Sequence, residues 1–237
     1  MYKGKSQHTG IRCAIASLIL ALVACNSEPA TTVDGSNEAA LTNVDAMSRE
    51  HANDTIEPSP AAEIAPLRPV ISQSMAYTEH REELIYGYFS APADMFEPLP
   101  AVIMIHEWWG LNDNIRAMAD RLAGEGYIVF AVDLFNGKVA KSPGEARVLM
   151  MQAIEDPEAA NENIRAAFKF VSATAGAPRV GAIGWCFGGG WSLNTAQLFP
   201  EGLDASVIYY GQVTDDEELL RPIGAPILGL FGAEDTG

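Results

Sequence analysis

Apolar residues are spread unevenly along this chain. From about Met75 onward short apolar runs alternate with stretches of helical spacing, whereas no period is sustained between Asn26 and about Val70. Ala101–Ile105 is apolar throughout, as expected of a central strand covered on both faces. The β-branched and aromatic content of Glu83–Ser90, Tyr127–Leu134, Arg179–Trp185, Ala205–Tyr210 and Pro226–Phe231 predicts five further strands. Ile115, Met118, Ala119 and Leu122 recur at helical spacing and predict a helix over Asn112–Ala123, closed by Gly124 and Gly126. Glu145–Ile154, Ala159–Ala173 and Trp191–Leu198 read as helices, and Ala91–Pro100, broken by three prolines, reads as a loop. Strands alternating with helices predict an α/β fold with a mostly parallel, doubly wound sheet and right-handed crossovers. In such a sheet, active residues collect beyond the carboxyl ends of the strands.

The N-terminal third changes the picture. Lys3, Lys5 and Arg12 precede a small, apolar stretch, Cys13–Ala24, that is too short for a comfortable membrane span and has the form of an export signal. It ends in Leu22-Val23-Ala24-Cys25, which resembles the bacterial lipobox. That resemblance implies cleavage before Cys25, a lipid on that cysteine, and attachment at the periplasmic face of the cell envelope. Asn26 in the next position points to the outer membrane. The Ala-, Thr-, Ser- and Pro-rich composition that follows cannot bury enough apolar surface to offset its ordering entropy, so 25–74 is expected to be a flexible tether and 75–237 one globular domain. A net charge of −16 argues against nucleic acid and anionic membrane surfaces as partners.

Three cysteines are present, Cys13, Cys25 and Cys186. With the signal removed and Cys25 acylated, only Cys186 remains as a thiol in an oxidising compartment, where retention for chemistry is more plausible than retention for packing. It lies in Gly184-Trp185-Cys186-Phe187-Gly188, between a predicted strand and a predicted helix. This is the setting of the nucleophile elbow G-x-S-x-G, with cysteine in place of serine. Its plain alternative is a buried cysteine in a glycine-rich turn. The other strand ends carry His106-Glu107-Trp108-Trp109-Gly110, Asp133, Tyr209-Tyr210-Gly211 and Gly232-Ala233-Glu234-Asp235. His106-Glu107 is no zinc motif, because H-E-x-x-H needs histidine where Gly110 stands, and the glycine run lacks the Gly-Lys-Ser/Thr of a phosphate loop. Asp133 is expected to cap the loop that follows its strand.

Taken together in this order and spacing, these segments resemble the dienelactone hydrolase family of the α/β-hydrolase fold. The resemblance covers residues 100 to 237 and implies a hydrolase that cleaves lactones or carboxylic esters without a cofactor or metal. It implies Cys186 as nucleophile, Asp235 as the residue that orients a histidine base, and Glu107 as the contact that helps deprotonate the thiol. The amides of Trp108 and Phe187 are implied as the oxyanion hole, with Trp109 and Tyr210 lining the acyl pocket. Arg147 is a candidate partner for a substrate carboxylate, fixed by no motif.

The pattern is short of one residue. His8, His51, His80 and His106 are the only histidines, and none follows Asp235. The chain is therefore expected to be a fragment, incomplete at the C-terminus and nearly inactive as it stands, with the base encoded beyond Gly237. A second reading is a non-catalytic, lipid-anchored envelope binding protein that retains the fold. A redox role for Cys186 is disfavoured because no resolving cysteine accompanies it. A monomer is the expected state.

Overall fold

The computed structural model describes residues 44–234. These hold a seven-stranded sheet in the order β1-β2-β4-β3-β5-β6-β7. The strands are β1 (Val70–His80), β2 (Glu83–Pro92), β3 (Ala101–Ile105), β4 (Ile128–Val132), β5 (Val180–Trp185), β6 (Ala205–Tyr209) and β7 (Ile227–Leu230). β1 and β2 form an antiparallel hairpin whose second strand joins β4 antiparallel, and every other pairing is parallel. The helices are α1 (44–50), α2 (Asp113–Gly124), α3 (Pro143–Glu155), α4 (Pro157–Lys169), α5 (Phe187–Leu198) and the single turn α6 (Glu217–Leu220).

Two-residue periodicity divides the core. Ile103, Ile105, Phe130 and Val132 point to the face covered by α3, α4 and α5, while Met104, Val129 and Ala131 point to the face covered by α2. Burying one such side chain fully contributes about 1.5–3 kcal/mol, so β3 and β4 anchor the sheet. Their carboxyl ends are therefore fixed platforms.

Local signals set the helix boundaries. Asn112 caps α2 by accepting the amide of Ile115, and Ser142 caps α3 by accepting that of Glu145, with Pro143 in the first turn. α4 continues into one π-helical turn, Phe170–Thr174. α5 starts at Phe187, four residues before the expected Trp191, because the glycines from 188 to 190 are helical where they press on neighbouring strands.

The expected domain boundary at residue 75 falls inside β1 and is corrected by the structure. β1 escapes the sequence pattern because it is an edge strand with polar residues on both faces: Ser72 and Ser74 point to α2, where they meet Asp120 and Arg116, and Gln73 points the opposite way. The described part of the expected tether also lies on the domain. Val44 is buried in the main core, the amide of Ser59 donates to Asn114 at 2.8 Å, and Arg68 donates to the carbonyl of Gly124 at 3.0 Å. No helix among the described residues is long and apolar enough to cross a membrane. Residues 1–24 and the lipid site expected at Cys25 lie outside the described residues.

Candidate active site

β5 ends at Trp185 and α5 begins at Phe187, so Cys186 alone makes the turn. Its backbone takes φ 52° and ψ −120°, a region that a residue with a Cβ adopts only when its surroundings impose it, at a cost of order 1–3 kcal/mol. The surroundings here are backbone. The amide of Cys186 donates to the carbonyl of Tyr209 at 3.0 Å, and its own carbonyl accepts the amide of Gly189 at 2.9 Å. A Cβ on Gly184 would lie 2.0 Å from the carbonyl oxygen of Gly188, and one on Gly188 would lie 2.3 Å from that of Ile105. Strand β5, the start of α5 and the end of β3 thus meet at contacts that only glycine permits. Cys186 is held at the N-terminus of α5 and is half-buried.

The end of β3 supplies the opposite wall. His106 is completely buried and bonded at both ring nitrogens. The carbonyl of Glu107 lies 2.7 Å from Nδ1 and can only accept, while the amide of Leu134 donates to Nε2 at 3.0 Å. The ring is therefore the neutral Nδ1–H tautomer, and burial pushes its pKa down, against the pull of Asp133 4.0 Å away. It ties the end of β3 to the end of β4. Asp133 accepts the amides of Phe135 at 2.8 Å and Gly137 at 2.5 Å, so it caps the loop after β4. Neither group is available for proton transfer to a substrate.

Glu107 follows His106 and points into the site. Burial raises its carboxyl pKa above the ordinary value, and a hydrogen bond donated by Asn114 Nδ2 at 3.0 Å opposes that rise. Tyr210 comes from the end of β6 with φ 38°. Its hydroxyl pKa is pushed up to about 12, first by burial and then by the negative charges of Glu107 and of the Cys186 thiolate. Both charges thus lie within electrostatic reach of that hydroxyl. Trp108 and Trp109 are buried, their rings 5.0 Å apart, and Phe187 stacks on His106 at 5.9 Å.

Asp235, the expected orienting carboxylate, lies outside the described residues. Arg147, the candidate for a substrate carboxylate, is already engaged: its Nε donates to Asp45 at 2.9 Å. Two neighbours were not legible in the sequence. Asn114 holds Glu107, from the first turn of α2 seven residues downstream, a spacing that belongs to no motif. Met47 on α1 brings its sulfur 3.5 Å from Cys186 Sγ across 139 residues of chain, and nothing in its own stretch signals this.

Residues 85–237 match the Dienelactone hydrolase family. Protein usf of Aquifex pyrophilus is 39% identical over 134 residues, which cover 52% of this chain and 58% of that protein. A protein of Aquifex aeolicus, provisionally named a carboxymethylenebutenolidase, is 34% identical over 142 residues, covering 57% of this chain and 62% of that one. The chain thus spans about three fifths of the length of these two relatives. Among solved structures, one titled m3DLH is 29% identical, covers 70% of both chains and superposes with a TM-score of 0.63. With the family match running from β2 through the strand–turn–helix that presents Cys186, the chain belongs to the dienelactone hydrolase family.

Proposed function

We propose that the protein hydrolyses carboxylic esters or lactones of small molecules through Cys186, by way of an acyl-enzyme. The observation that carries this reading is the forced turn at Cys186, which sets a thiol at a helix N-terminus. The names of the relatives support the same substrate class.

In this mechanism the Cys186 sulfur attacks the carbonyl carbon, and the carbonyl π electrons move to oxygen. The amides of Phe187 and Trp108 stabilise that oxyanion, and the positive end of α5 favours the negative charge. Collapse of the tetrahedral intermediate expels the alkoxide, which takes up the proton that Glu107 accepted from the thiol, and leaves a thioester. Water then attacks the thioester, gives its proton to the base and releases the acid, restoring the thiol. Glu107 receives the thiol proton at the start, a role suited to a carboxyl whose raised pKa makes it a stronger acceptor than an exposed carboxylate. The general base is assigned to a histidine oriented by Asp235. Trp109 and Tyr210 line the acyl side. The enzyme is proposed to act as a monomer on the periplasmic face of the outer membrane, anchored through lipid on Cys25.

The test is turnover of a p-nitrophenyl ester and of a dienelactone by the full-length protein. Cys186→Ala should remove activity by several powers of ten while leaving thermal unfolding unchanged, since members of a catalytic unit fail together. Ester turnover that survives this substitution assigns the nucleophile elsewhere. The anchor is tested separately by labelling with a palmitate analogue, which Cys25→Ala should abolish.

A further inference from the structure

α1 does not belong to the α/β layers, yet it reaches the nucleophile. Met47 Sδ lies 3.5 Å from Cys186 Sγ, and the chain on either side is fixed to the walls of the same site. Val44 is buried in the main core, and Asp45 pairs with Arg147 of α3. One turn after Met47, His51 sets its ring edge against Trp108, with centroids 5.9 Å apart. Further on, the amide of Ser59 donates to Asn114 Oδ1, while the amide nitrogen of that side chain donates to Glu107. The N-terminal segment therefore touches the thiol, Trp108 and, through one asparagine, the carboxyl of Glu107.

A carbonyl carbon in position for attack lies roughly 3–3.5 Å from the nucleophile, the same distance at which Met47 Sδ now sits. Any acyl group that reaches Cys186 must then share its surroundings with the Met47 side chain. We propose that Met47 is a specificity-determining residue, with α1 forming a wall of the acyl site that admits compact acyl groups and excludes extended ones. The proposal rests on the assignment of Cys186 as acyl acceptor, and it adds the class of acyl group that the site takes. Methionine suits such a wall because its unbranched thioether fills space while yielding to different shapes. A leucine of similar volume preserves the wall; an alanine opens it.

Two readouts in the full-length protein separate this proposal from the hydrolase reading. The first is alkylation of Cys186, followed by peptide mass spectrometry, with small iodoacetamide and bulkier N-phenylmaleimide. The second is the ratio of kcat/KM for p-nitrophenyl hexanoate over p-nitrophenyl acetate. Met47→Ala is expected to raise both the maleimide-to-iodoacetamide rate ratio and the hexanoate-to-acetate ratio by about tenfold, the low end of what one methylene discriminates in an apolar pocket, whereas Met47→Leu leaves both near wild type. An unchanged alkylation ratio in Met47→Ala overturns the wall whatever the esters do. So does an equal rise for both reagents, which is what local unfolding of α1 gives. A changed alkylation ratio with no ester turnover in any variant leaves the wall standing and overturns the hydrolase reading.

Discussion

The turn that presents Cys186 and the segment that leans on it are both parts of one site, but they are held in different ways. At the turn, backbone meets backbone: the start of α5 sits against the ends of β3 and β5 with no room for a Cβ at Gly184 or Gly188. Residues 44–59 are held by side chains, through one buried valine, one methionine, an exposed ion pair, a ring edge and a hydrogen bond to Asn114. The first mode fixes an atom to a fraction of an ångström and tolerates no substitution. Apart from the buried valine, the second is built from contacts that are individually worth about 1 kcal/mol or less and can be exchanged singly. A nucleophile needs the first kind of support, and a wall that selects among acyl groups can be made from the second.

That contrast is sharpest in stability. Gly188→Ala would drive a methyl group into the carbonyls of Ile105 and His106, at the carboxyl end of the buried central strand β3, and is expected to cost about 3 kcal/mol or more. Asp45→Ala removes an ion pair whose side chains are 40–47% exposed and is expected to cost well under about 1 kcal/mol. Urea unfolding of the two variants side by side measures the difference. Similar midpoints would mean that the turn is no more rigid than the segment.

His106 extends the comparison to the loop between the two regions. Replacing it with alanine leaves the amide of Leu134 and the carbonyl of Glu107 unpaired in the interior, an expected loss of about 2–4 kcal/mol in the same assay. The pH dependence has a defined sign. Folding holds His106 neutral and its pKa below the ordinary 6.5, so the unfolded chain takes up the proton first. Its contribution to stability is whole above about 6.5 and declines as pH falls towards the lowered folded value. The alanine variant should lose that part of the acid slope between pH 7 and 5.

A smaller effect is expected at Asn114, where the segment and the reactive centre meet. Its amide stabilises ionised Glu107 against the rise that burial causes. Asn114→Ala should therefore raise the Glu107 pKa further and move the acid limb of the kcat/KM profile to higher pH, with the plateau less affected than the limb. A limb that stays in place would separate Glu107 from the rate-determining proton transfer.

Much of this protein follows from local sequence. Period-two and period-3.6 patterns locate β2 to β7 and α2 to α5 to within a few residues, because buried strands and amphipathic helices write their solvent exposure into their own composition. The glycines around Cys186 signal the turn for the same reason: a close backbone approach needs residues without a Cβ, and that need is met on the spot. Four things were decided only by the tertiary structure. β1 is an edge strand with exposed polar residues on both faces, so its pairing with β2 supplies the definition that its composition lacks. His106 could be read as a candidate base until the amide of Leu134, from the end of another strand, filled its second nitrogen. Asn114 became the partner of Glu107 through the angle at which α2 leaves β3, and Met47 became a neighbour of Cys186 through the docking of a stretch with no period of its own. Sequence periodicity reports how each residue relates to solvent and to its near neighbours in the chain. Contacts between distant segments depend on where whole elements come to rest, and that is fixed by the packing of the sheet and its helices together.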